Sequence, residues 1–383
     1  MIIENSNNRF AVFFHTKIKK MKPFLFSLLL FGGCFAPQKQ AQTYPPVYAN
    51  ADQTVNTNTA YTPGTTVFGV MFADVSSAQD KLNILKQLHV KTTRMTLSID
   101  TWTGSNAALE ALQNAGYKVL LNVYWKKIRN ADGTKTPQNY PTGSELETYR
   151  SKLNDILTKY KPEVLLVENE ELVLKFHAGD ISDYLNMLKV AVEVAHSKGV
   201  KVSDGGITNP QVSLLIYDYL VSQNQRDEAD RFGNAAMNAR VLKFAKNHDM
   251  SSDMGQKLSQ AQKLVQGLRN IDIDYVNLHW YEPLSEKGTT NLSDNTGAVT
   301  PGALSHAVDF LTKFIGKPVI LGECGQVNTN ASLTTSMLQE ISATGVPYAI
   351  WLSSDNGTTK ALNSGLSLLP TGNAFVKFID QGK

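Results

Sequence analysis

Eight short, largely apolar runs recur between residue 66 and the end of this 383-residue chain, and they constrain its fold more tightly than any other feature. They read VFGVMF (67–72), VKTTRMTL (90–97), YKVLLNVYW (117–125), EVLLVEN (163–169), KVSDGG (201–206), DYVNLHW (274–280), KPVILGE (317–323) and PYAIWL (347–352). Amphipathic stretches such as LETYRSKLNDILTKY (146–160) and DYLNMLKVAVEVAHSKG (183–199) separate most of them, with apolar residues at helical spacing. A strand followed by a helix, eight times over, predicts a single α/β domain over 66–383, a (β/α)₈ TIM barrel. Its functional site would lie at the C-terminal strand ends. A doubly wound open sheet is the rival arrangement and would lack a closed set of eight.

The long insertions fall on one side of these repeats, after the third, fifth and sixth runs, at 126–145, 207–270 and 282–302. Helix-to-strand returns are short. Insertions confined to the strand C-termini point to a substrate cleft on that face. The charged, helix-patterned segment 223–263 reads as a solvated addition rather than a lid.

Residues 1–42 have the order of an export leader: Lys17, Lys19, Lys20 and Lys22 precede the apolar run 24–31, and small and polar residues follow. Met21 opens the same pattern and is an alternative start to Met1. The apolar run is too short to span a bilayer as a helix. FGGC (31–34) resembles a lipobox that would make Cys34 a lipid anchor, and cleavage near Ala41 is the other option. Residues 43–65, rich in Thr, Asn and Pro, read as a polar tether. The expected location is therefore outside the cytoplasm of a bacterium, as a periplasmic, extracellular or lipid-anchored protein.

The whole chain carries 37 Lys and Arg against 34 Asp and Glu; the leader holds six of the former and one of the latter, leaving 31 against 33, a formal net charge of −2. Its basicity therefore resides in the leader, which argues against a nucleic-acid partner. Two cysteines, Cys34 and Cys324, offer no disulfide framework or cysteine metal site. The seven histidines show no metal-ligand spacing. No metal or organic cofactor is expected, and the chain is expected to be monomeric.

Two expected strand ends carry carboxylates: Asn169-Glu170 after the fourth and Glu323, in GECG, after the seventh. A barrel brings both to one rim. In this order of motifs the sequence resembles the large clan of retaining (β/α)₈ glycoside hydrolases, and ILGECG is similar to the nucleophile motif of its cellulase-like and mannanase-like members. The resemblance implies Glu170 as acid/base, Glu323 as nucleophile, Arg94 of TTRMTL against the nucleophile, and His279 and Tyr281 of LHWYEP as a His-x-Tyr pair with Tyr281 donating to Glu323. It also implies Trp351 of AIWLSS as a sugar-stacking tryptophan. Glu171 departs from the proline common after the acid/base, which leaves subfamily and substrate open.

Such chemistry needs one protonated carboxyl group to supply the leaving oxygen and one ionised group to attack the anomeric carbon. Asn169 would bond the sugar 2-OH. Glu168 reads as structural, paired to an Arg or Lys. Trp102, Trp125, Trp280 and Trp351 all fall at or just beyond expected strand ends, and four flat apolar faces at one rim suit a pyranose. Asn122, Asp204 and Asn209 are further candidates for hydroxyl contacts, with Asp74 and Asp100 behind them. Cys324 reads as a buried inert thiol. The expected function is cleavage of a β-linked oligo- or polysaccharide with retention. A sugar-binding barrel without turnover is the alternative, and a substrate-assisted chitinase-like barrel is disfavoured because no run of alternating aspartates precedes Glu170.

Overall fold

The computed structural model describes residues 65–382 except 74, 76, 130–134, 282–302, 327–328 and 355–360. The expected leader, all but the last residue of the expected tether, Cys34 and Asp74 lie outside the described residues.

Eight parallel strands form the centre: β1 (Val67–Phe72), β2 (Thr92–Ser98), β3 (Lys118–Tyr124), β4 (Val164–Val167), β5 in two pieces (Lys201–Ser203 and Ile207–Thr208), β6 (Val276–Tyr281), β7 (Val319–Gly325) and β8 (Tyr348–Ser353). Each begins within two residues of the apolar run that predicts it. Hydrogen-bonded neighbours run in sequence from β1 to β5 and from β6 to β8, and β8 pairs with β1. The ring closes between β5 and β6, where Ser203 bridges Tyr275 and Ile207 lies opposite Leu278. An open doubly wound sheet would expose two edges there, so the closed barrel is the fold.

Helices α1 (Ala78–Gln87), α2 (Ala107–Asn114), α3 (Ser144–Tyr160), α4 (Ile181–Ser197), α5 (Asn209–Ser222), α6 (Arg226–Ala236), α7 (Ala239–Asn247), α8 (Asp253–Leu268), α9 (Ala303–Ile315), α10 (Ala331–Thr344) and α11 (Pro370–Gln381) cover the strands. Side chains that satisfy the first orphan amides fix several starts: Ser77 accepts from Asp80 N, Asn106 from Leu109 N, and Asp180 from Ser182 N.

Strand alternation divides the core in two. Leu120, Val164, Leu166, Ile320, Tyr348 and Ile350 fill the barrel interior, whereas Leu121, Val123, Leu165, Val167, Leu278, Ala349 and Trp351 pack outward in the larger cluster that includes the helices. Strand residues of the inward parity therefore reach the site, and their neighbours serve the core.

The segment between β5 and β6 corrects one expectation. It holds α5 to α8, and Ala236, Met237, Asn238 and Val241, at the α6–α7 junction, line the cleft above the barrel. The segment is a cleft wall as well as a solvated addition.

Candidate active site

Two strand-end irregularities aim the central carboxylates. In β7 the register against β6 shifts between Ile320 and Glu323. The displaced Gly322 donates its N–H to Asn277 Oδ1 (2.8 Å), and its carbonyl accepts from Arg94 NH1 (2.8 Å). A Cβ at Gly322 would fall 2.2 Å from Asn277 Oδ1, so only glycine fits this bulge. Beyond it Glu323 sits opposite His279 and faces the cleft.

At the end of β4, Glu168 (φ 67°) and Glu170 (φ 51°) both adopt left-handed backbone. That conformation costs a side-chain-bearing residue about 1 kcal/mol or more. Hydrogen bonds hold the corner. Asn122 Nδ2 donates to the Glu168 carbonyl, His177 Nε2 to the Asn169 carbonyl (2.9 Å), and Glu170 N to the Gly205 carbonyl (3.3 Å). The turn separates glutamates that strand parity would have kept on one face. Glu170 enters the cleft, while Glu168 is buried and accepts the Trp125 N–H at 2.5 Å.

Arg94, 3% exposed, binds both corners. Its NH1 donates to Glu323 Oε2 (3.2 Å) and His279 Nε2 (3.2 Å), and its NH2 to Asn169 Oδ1 (2.5 Å) and Asn122 Oδ1 (3.3 Å). A guanidinium can only donate, so His279 Nε2 is an acceptor and the ring proton sits on Nδ1. That proton is donated to Glu170 Oε1 at 3.1 Å. His279 has room because Gly206 (φ 124°) carries no Cβ, which would lie 2.4 Å from Nε2. Tyr281 donates its hydroxyl to Glu323 Oε1, and burial with the Glu323 charge holds its pKa well above the ordinary phenol value, so it remains a donor.

One oxygen each of Glu170 and Glu323 and one nitrogen of His279 lie within 4.8 Å of one another. That grouping could ligate a cation by distance alone. The Nδ1 proton and the Arg94 guanidinium against both His279 and Glu323 suit it instead to two carboxyl groups with different partners.

The structure thus brings Glu170, Glu323, Asn169, Arg94, His279 and Tyr281 together, and all of them but the buried His279 line a cleft of about 790 Å³. It does not bring the tryptophans there. Trp280 lies between the inward residues His279 and Tyr281 and so points outward into the core. Trp351 is fully buried, edge-on to Phe375 of α11 at 6.0 Å. Trp125 packs edge-on against Tyr149 at 6.2 Å, and Trp102 against Tyr160 at 5.6 Å. Among the described residues, the aromatics lining the cleft are Phe72, Tyr124, Phe176 and Tyr281. Position along a strand sets the height of a side chain, and parity sets its facing. Parity relative to His279 and Tyr281 was the signal that excluded Trp280.

Other assignments also change. Glu168 has a backbone amide as its partner, not an Arg or Lys. Asp204 is fully buried and accepts Asn277 N (2.6 Å) instead of facing a sugar. Glu171 is buried against Asp204, and burial first, then their mutual repulsion, pushes Glu171 well above the ordinary carboxylate range. Asn122 lines the cleft with its amide already committed to Arg94 and the Glu168 corner. Asn209 lines it while donating to the Tyr281 carbonyl (3.0 Å). Burial raises the Cys324 thiol far above its ordinary value, so it stays protonated.

Burial also pushes Glu168 from its ordinary value near 4.5 up to about 8. Between those values the folded protein holds a proton that the unfolded chain has lost, so this group's contribution to stability falls as pH rises through the window. The full effect is at most roughly 5 kcal/mol. Glu168→Gln keeps an acceptor for Trp125 N and removes the titration. Its melting temperature relative to wild type is expected to rise between pH 5 and pH 8.5; a constant difference would show that Glu168 is ionised in the folded protein throughout.

No protein-family model matches the sequence, and no curated protein matches it. Solved structures similar to this chain include a GH128 (subgroup I) endo-β-1,3-glucanase from Amycolatopsis mediterranei in complex with laminarihexaose, at 15% identity and a TM-score of 0.44, covering 82% of this chain and 99% of that one. A glycoside hydrolase 5 lichenase from Caldicellulosiruptor sp. F32 in complex with cellotetraose matches at 14% identity and 0.45, covering 79% and 84%. A Cellulomonas fimi endo-β-1,4-mannanase matches at 14% and 0.47, covering 82% and 71%. At such identities and scores the likeness bears on neither the substrate nor the mechanism of this chain.

Proposed function

We propose that this protein is a glycosidase that hydrolyses a β-linked glycan by double displacement with net retention. The observation that carries the reading is the spacing and contrast of Glu170 and Glu323: oxygens no more than 4.8 Å apart, one carboxyl facing a neutral imidazole and the other a guanidinium and a phenol. Retaining enzymes hold their carboxyl groups about 5–5.5 Å apart, and inverting enzymes roughly 6.5–9.5 Å apart to admit a water molecule; the 4.8 Å bound here is between the facing oxygens of the two groups.

In the first step the Glu323 carboxylate attacks the anomeric carbon as the glycosidic C–O bond breaks, and Glu170 gives its proton to the departing oxygen. Water then attacks the anomeric carbon of the glycosyl ester, Glu170 takes a proton from that water, and Glu323 leaves as a carboxylate. Arg94 supplies the cation beside the group that must attack as an anion, and the Tyr281 O–H supplies a second donor to it. Since Asn169 Oδ1 is occupied by Arg94, its amide N–H₂ is the group available to a sugar hydroxyl.

Proton NMR of the product formed first from an aryl β-glycoside or β-linked oligosaccharide tests the reading. The β-anomer is expected to appear before mutarotation; initial α-anomer would mean inversion, and binding without any product would leave a sugar-binding protein.

A further inference from the structure

Behind the cleft, β5 is interrupted at residues 204–206, and two carboxyl groups meet in the gap. They belong to Asp204, fully buried, and to Glu171, 4% exposed and next in sequence to Glu170. Asp204 Oδ1 accepts the Asn277 N–H (2.6 Å) and the Ser203 hydroxyl (3.3 Å). The other three oxygens, Asp204 Oδ2 and both of Glu171, are buried and receive no hydrogen bond among the described residues. The titratable neighbours of the pair are Glu168 and Glu170, Tyr140 and Tyr184, and His279, whose Nε2 accepts from Arg94. Both phenols are engaged elsewhere: Tyr140 donates to the main-chain carbonyl of Glu171 (2.7 Å) and Tyr184 to that of Val167 (3.2 Å).

Two buried carboxyl groups side by side cannot both ionise cheaply. One proton between them turns repulsion into a charge-assisted O–H···O⁻ bond and gives the orphaned oxygens a partner in each other. Burial raises both groups above the ordinary carboxylate range, and the Asp204 charge raises Glu171 further.

The pair meets the site at two points. A Cβ at Gly205 would lie 2.7 Å from Glu171 Oε2, and the Gly205 carbonyl accepts from Glu170 N (3.3 Å) and Asn277 Nδ2 (3.1 Å). Asp204 holds the Asn277 main chain, and Asn277 Oδ1 in turn holds Gly322 N, at the bulge that presents Glu323. Glu170 and Glu323 are thus each a few contacts from the same two acids.

Resting on the glycosidase reading, we propose that Glu171 and Asp204 form a positioning pair that shares one proton, and that Glu170 and Glu323 keep their working placement only while that proton is present. Its loss to solvent takes the pair from one negative charge to two, and the repulsion opens the gap in β5 and loosens both chains of contacts.

The test uses an aryl β-glycoside whose leaving group needs no proton, so that ionisation of Glu170 does not limit the first step. Wild-type kcat/KM is expected to fall about tenfold or more between pH 6 and about pH 9.5. Glu171→Gln and Asp204→Asn each fix the pair at one negative charge and supply an N–H donor in place of the shared proton. Both are expected to stay within about threefold of wild type at pH 6 and to lose the alkaline fall. A merely structural role for either residue would not remove the same limb from both variants, and either variant decides the matter if the other does not fold.

Thermal melting reads the pair without turnover. Above the ordinary carboxylate range the folded protein holds a proton that the unfolded chain has lost, so the pair's contribution to stability falls as pH rises. The melting temperature of each variant relative to wild type is expected to rise from pH 6 to about pH 9.5; Glu168 is present in all three proteins and cancels. No alkaline fall in wild type, or a fall and a melting profile that both amides leave unchanged, overturns the inference and leaves the glycosidase reading intact. Melting that depends on added calcium in wild type and in neither variant would put a cation in place of the proton and likewise overturn it. The expected melting shifts without turnover of any glycoside keep the shared proton but sink the glycosidase reading and, with it, the positioning role.

Discussion

Replacing Glu323 by alanine is expected to abolish turnover of every β-glycoside, with kcat falling on the order of 10⁴-fold or more, while substrate still binds. The carboxylate that must form the covalent bond would be gone, and Arg94 and Tyr281 would be left facing a cavity. Glu170→Ala is expected to fail differently. Substrates with poor leaving groups should slow by about 10²–10⁴. Aryl glycosides whose leaving groups need no proton should still form the glycosyl ester, and azide, which needs no general base, should then accelerate its release as the β-glycosyl azide. A 2-deoxy-2-fluoro glycoside should label Glu323 in intact protein. Label on Glu168 or Glu170, or azide rescue of Glu323→Ala to a β-azide, would reverse or remove the assignment. Glu168 is the informative control, because it is only two residues from Glu170 and faces the Trp125 amide outside the cleft.

The second large effect is expected in stability. Trp351→Ala removes a fully buried indole packed against Phe375 of α11, and truncations of this kind cost about 3–5 kcal/mol. For a barrel of this size the melting temperature should fall by on the order of 10 °C. Glycan affinity, measured well below the new melting temperature, is expected to be unchanged. Weakened affinity with a normal melting curve would instead return Trp351 to the cleft.

These two experiments divide what the sequence discloses from what it conceals. The eight-fold alternation is a local property, and the closed ring follows from it. Glu170, Glu323, Arg94, His279 and Tyr281 could be placed on one rim because a parallel barrel aligns all strand C-termini. The tryptophans could not, because a strand end twists or bulges and a one-residue change of phase exchanges core for cleft. Glu168 and Glu170 share a parity in sequence, and two left-handed residues separate them in space. Nothing local in VENEE marks those dihedral angles; they depend on Asn122, His177 and Gly205, which come from other parts of the chain. The α6–α7 wall was hidden for the same reason, since its contact with the cleft is set by how four consecutive helices return to β6.

The Arg94 network is built wholly from residues of the strands and their immediate ends. Asn122, Asn169, His279, Gly322 and Glu323 each meet the guanidinium directly, and His279 passes the connection on to Glu170. Among the described residues, no part of a long insertion donates to or accepts from the guanidinium. The two carboxyl groups are therefore held by contacts that do not involve the α6–α7 wall of the cleft. The α6–α7 junction could be exchanged for another surface without disturbing the contacts of Glu170 and Glu323. A scaffold divided in this way allows one wall to be replaced while the centre stays fixed, and grafting a tryptophan-bearing wall onto this barrel would be a direct way to use that separation.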